Sequence, residues 1–81
     1  LMSQEDYEKL VHTIEQAKIT LATLTQACTN IENDMRNITA ESIPIYQNII
    51  DRLQSLIKGL EVEIINTEKK LPQIDKDTIL N

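Results

Sequence analysis

Tryptophan and phenylalanine are absent from this chain of 81 residues; glycine, cysteine and histidine occur once each and proline and tyrosine twice. Each shortage excludes something. A lone glycine cannot build a glycine-rich phosphate loop. With almost no aromatic surface, the chain has little to line the concave, partly apolar pocket with converging polar groups that an enzyme needs. A single cysteine, Cys28, rules out an internal disulfide framework and fits a reducing, intracellular compartment, cytoplasm or nucleus. No apolar run approaches the roughly 18 residues that span a bilayer, and no basic segment followed by an apolar one marks a signal peptide. The Leu1-Met2 start reads as an artificial boundary, which leaves upstream targeting open.

Positive charge is also scarce: thirteen Asp and Glu stand against eight Lys and Arg, for a formal charge of −5. Nucleic acid binding draws most of its affinity from clustered Lys and Arg on phosphate, and the densest basic group, Lys69, Lys70 and Lys76, is surrounded by acids. The same deficit argues against binding to an anionic membrane surface.

What the chain does have is apolar periodicity. Tyr7, Leu10, Ile14, Ala17, Leu21, Leu24, Cys28, Ile31, Met35 and Ile38 fill ten consecutive a and d positions of a heptad repeat. A 3.5-residue period held that long keeps one narrow stripe of a helix against a partner helix. Ser3 is placed to cap this helix, with Glu5 and Asp6 at the positive end of its dipole and Met2 and Tyr7 in the positions of a hydrophobic staple. The e and g positions carry few complementary charges; many are Thr, Ala or Val, small enough for a third helix to approach. From Ile19 to Ile31 no residue is ionisable at neutral pH, and Ile19 falls at f, opposite the seam. Long charged side chains are the cheap cover for an exposed helix, so their absence points to burial on a second side.

Pro44 breaks the pattern. It cannot donate to residue 40, it disfavours the helical region for Ile43, and the step from Ile38 to Ile43 slips the register. Ser42 is a plausible cap for a second helix, with Pro44 in its first turn. The second register runs through Ile43, Tyr46, Ile50, Leu53, Ile57, Leu60, Ile64, Thr67 and Leu71, with Ile49 and Leu56 at g widening the apolar face. Gly59 interrupts this helix at c, at a cost near 1 kcal/mol relative to Ala; it marks either a close contact or an ordinary surface position. Leu71-Pro72 stops the helix.

The expected fold is all-α: one interaction domain over 3–71, an antiparallel two-helix coiled-coil hairpin with a helix over about 4–38, a turn over 39–43 and a helix over about 43–71. Oligomerisation is expected to complete a helical bundle. A kinked continuous rod is the competing arrangement, and the tail 72–81 reads as the start of a further, truncated helix.

The residues that could carry chemistry are separated. His12 and Cys28 lie about 24 Å apart along one helix and cannot form a nucleophile-base pair. Cys28 at a reads as a small buried hydrophobe. His12, between Glu8 and Glu15, sits at outward f, whereas a metal site needs inward ligands with a second shell. Asn37-Ile38-Thr39 matches a glycosylation sequon, a pattern frequent by chance.

The chain therefore reads as a non-enzymatic oligomerisation or subunit-docking module of an intracellular assembly, without catalytic residues, cofactor, metal or direct membrane insertion. Its expected interface residues are the first-helix seam residues Tyr7, Leu10, Ile14, Leu21, Leu24, Cys28, Ile31, Met35 and Ile38, outward Ile19, and Tyr46, Ile49, Ile50, Leu53, Leu56, Ile57, Leu60 and Ile64 of the second helix. The alternative is a regulatory or tethering segment in membrane trafficking or fusion machinery.

Overall fold

Two helices and a short reversal make up the computed structural model, which describes residues 2–71. The further helix expected within 72–81 lies outside the described residues. Helix α1 spans Gln4–Asp34 and helix α2 spans Ile43–Glu68. Ser3 caps α1 as its position implies: its backbone is extended and its Oγ accepts the Asp6 amide at 3.1 Å. This satisfies one of the amides that a helix start leaves unpaired.

α1 stops four residues short of the expected Ile38. Asn33, Asp34 and Asn37 have low helix propensity, and Asp34 faces the negative end of the dipole with no basic residue in the last turn to offset it. The chain tightens into a 3₁₀ turn at Met35–Asn37, runs extended through Ile38 and Thr39, and re-enters a 3₁₀ turn at Ala40–Ser42.

That second turn changes the expected start of α2. Ser42 has helical backbone angles and makes no side-chain cap. Thr39 opens the turn instead: its carbonyl accepts the Ser42 amide at 3.0 Å, and the two hydroxyls lie 3.0 Å apart. Ile43 takes φ −54°, ψ −49° despite preceding proline, because the turn from Ala40 already feeds it into the helical path and a preference of this kind yields to such context. Pro44 sits in the first turn, where its missing amide costs little. α2 closes at Glu68, followed by turn bonds from Lys69, Lys70 and Leu71 to Ile65, Thr67 and Glu68 carbonyls.

The helices pack against each other and run antiparallel. Lys18 Nζ reaches Glu68 Oε2 at 3.3 Å, and a small cavity near that end is lined by Thr13, Ile14, Ala17, Glu63, Ile64 and Thr67. Farther along, Leu24 shares a groove with Leu56, Gly59 and Leu60. A continuous rod over the described residues would run roughly 105 Å, whereas the longest dimension is 60 Å. The rod is excluded.

The heptad stripes face inward along this pair. Ile14, Cys28, Ile50 and Ile64 are buried, and the other a and d residues are half-buried, apart from exposed Ile43 beside the reversal. Two helices cannot enclose a seam from the sides, so most seam residues keep part of their surface.

Candidate interaction surface

An antiparallel coiled coil has two flanks, one where e positions of the two helices face each other and one where g positions do. Lys18 and Glu68 are both e residues, and their ion pair identifies the first flank. Val11, Thr25 and Glu32 continue it on α1, with Gln47, Gln54 and Glu61 on α2. Apart from Val11 and Thr25, long polar side chains cover this side.

The other flank carries Asp6, Thr13, Thr20, Ala27 and Asp34 on α1 and Ile49, Leu56 and Glu63 on α2. Thr13 and Glu63 line the same small cavity, which confirms that these g positions meet. Just outside them on α2 lie the c positions Ile45, Arg52 and Gly59. Ile45 is 62% exposed, Leu56 60% and Ile49 41%, high values for large aliphatic side chains. Gly59 has open space where a Cβ would stand, with no atom within 4 Å. No close contact inside the chain therefore explains this glycine.

The charge-free stretch of α1 adjoins this flank. Ile19, Ala22, Thr23, Gln26, Ala27 and Asn30 line a shallow depression running from the back of α1 toward the g side, and Ile19 is 59% exposed. The Thr20, Thr23, Thr25 and Thr29 hydroxyls donate to the carbonyls four residues back, at 2.8 to 3.1 Å. Gln26 donates to Asn30 at 2.9 Å. These donors are already satisfied, so covering this surface strands fewer polar groups than its composition suggests.

The seam residues of the expected interface, from Tyr7 to Ile38 and from Tyr46 to Ile64, lie between the chain's own helices. Only Ile19, Ile49 and Leu56 of that set are exposed and aimed away from the internal pairing. Exposed Ile45, Val62 and Ile65 escaped the sequence reading. Their c, f and b positions were visible in the register, but Ile45 lies directly after the proline break and Ile65 directly after a seam residue.

The two reactive side chains are set apart. Cys28 is buried, and its thiol donates to Glu32 Oε1 at 3.3 Å. Burial, with the Glu32 hydrogen bond and negative charge adding to it, pushes the thiol pKa up, which disfavours the nucleophilic thiolate. His12 is exposed on α1. Among the described residues no group of three His, Cys, Asp or Glu side chains is placed to hold a metal ion, and no helix is long and apolar enough to cross a membrane.

No protein-family model, curated protein or solved structure matches this chain.

Proposed function

We propose that this chain is a coiled-coil docking module, non-enzymatic, whose hairpin presents its g flank to a further helix in a larger assembly. The observation that carries this reading is the row Ile45, Ile49 and Leu56, exposed beside the small α1 residues Thr20, Thr23 and Ala27. Covering a Leu or Ile contributes roughly 1.5 to 3 kcal/mol before ordering costs, so a helix laid along the row gains from each. The internally bonded threonines and uncharged α1 face beside the row reduce what must be desolvated.

A photo-crosslinking residue in place of Leu56, with a control in place of Gln54 on the opposite flank, tests the reading in the native cell. Discrete adducts from position 56 and none from position 54 are expected. Equal labelling from the two positions, or none from either, contradicts it.

A further inference from the structure

The g-flank row of α2 is a second heptad seam. Ile45, Ile49, Arg52, Leu56, Gly59, Glu63 and Asn66 follow one another at alternating steps of four and three, beside the seam that pairs with α1. Its middle has a particular order: Arg52, then Leu56 four residues on, Gly59 three further, and Glu63 four further. Reversed, the row has the same spacing with complementary chemistry, so the base falls on the acid and the large residue on the missing side chain.

We infer that the occupant of the g flank is a second copy of this chain, with α2 packed antiparallel on α2 about a two-fold axis between Ile57 and Lys58. This deepens the docking reading proposed above and rests on it. Arg52 of each copy faces Glu63 of the other, and Leu56 of each enters the space over Gly59 of the other. The interface is isologous, so both contacts occur twice. The structure holds the two halves ready. Neither Arg52 nor Glu63 belongs to an ion pair among the described residues. Asp51, the acid next to Arg52 in sequence, already accepts the Gln47 side-chain amide at 3.0 Å. Leu56 and Gly59 line one groove together with Glu63, and no atom stands within 4 Å of a Cβ built on Gly59.

Charge decides the register. Sliding the helices by one heptad in one direction sets Arg52 against Leu56 and Glu63 against Ile45; a further heptad sets Arg52 against Ile49. Either shift covers a charge with an aliphatic side chain and leaves it unpaired, which is unfavourable. Sliding one heptad the other way sets Glu63 against Gly59 and carries Arg52 past the end of the partner helix. Only the central register neutralises Arg52 with Glu63, and it overlaps residues 47–68 of each α2, about 33 Å of helix. Ile49 then lies across from Asn66.

Sedimentation equilibrium of the full chain, from micromolar to millimolar concentration, tests the inference with three variants. Arg52→Glu makes both interfacial pairs acid on acid, Glu63→Arg makes both base on base, and an equimolar mixture restores two opposite-charge pairs in a heterodimer. Each single variant is expected to raise the dimer dissociation constant roughly tenfold or more, and the mixture to recover the wild-type value. Gly59→Leu should weaken the dimer by filling the space Leu56 needs, yet melt at higher temperature when dilute, because leucine favours the helix and has room there. A dimer indifferent to the charge reversals, or a mixture that recovers nothing, overturns the register. A wild-type chain monomeric at every concentration overturns self-pairing, while adducts from position 56 to a different protein would still uphold the docking reading.

Discussion

The two flanks of the hairpin border the same seam and are built from different material. On the e side, Lys18 and Glu68 close over the junction, Glu32 accepts a hydrogen bond from buried Cys28, and Gln47, Gln54 and Glu61 extend polar chains into solvent. On the g side, Thr20, Ala27 and Gly59 leave room, and Ile49 and Leu56 stand in it uncovered. Internal pairing uses the seam and leaves the flanks free to differ. A closed, hydrated edge limits association on one side, while an apolar edge with a gap invites it on the other. Specificity of this sort depends on what is made unfavourable as much as on what is attractive.

The largest effect should come from the seam that both flanks share. Leu24→Asp sets a carboxylate in the half-buried stripe, and a loss of about 3 kcal/mol or more is expected, enough to melt so small a hairpin; helical circular dichroism at room temperature checks it. Next comes the gap on the g side. Gly59→Ala should stabilise the dilute hairpin by about 1 kcal/mol, read as a higher denaturant midpoint, because the added methyl meets nothing within 4 Å and glycine is the poorer helix former. On the e side, Lys18→Ala should cost under about 0.5 kcal/mol, since the pair is half exposed and solvent screens it. The smallest effect is alkaline. The Cys28 thiol has its pKa raised above the ordinary 9.0 in the fold. The unfolded chain therefore releases the proton first, and the stability from the buried thiol is complete below about pH 9 and declines above it. In denaturant titrations the stability advantage of wild type over Cys28→Ala should be constant around neutral pH and shrink only on the alkaline side.

The fold was largely legible because its signals are periodic and redundant. Ten consecutive a and d positions from Tyr7 to Ile38, eight of them within α1, and a register slip at a proline leave few arrangements, and Ser3 announced the first helix by its position ahead of two acids. The ends were less legible. Asn33, Asp34 and Asn37 are poor helix formers, a local bias that the heptad pattern of Met35 and Ile38 overrides on paper. The start of α2 misled for a related reason: Ser42 looks like a cap until a tight turn from Ala40 is in view. As for the surface, Leu56 and Ile49 were visible at g, whereas the significance of Gly59 required knowing that nothing inside the chain fills the space beside it. The threonine-rich stretch of α1 was readable as uncharged, but the internal bonding of its hydroxyls was not.

The contrast between the flanks can be measured directly by comparing Leu56→Asp with Gln54→Asp, two exposed substitutions two residues apart on opposite sides of the seam. Sedimentation velocity, with circular dichroism to confirm helicity, is predicted to show association lost in Leu56→Asp and unchanged in Gln54→Asp, with both hairpins folded. Equal association in the two variants, or its loss in Gln54→Asp alone, would contradict the assignment of the g flank as the surface through which the chain associates with itself.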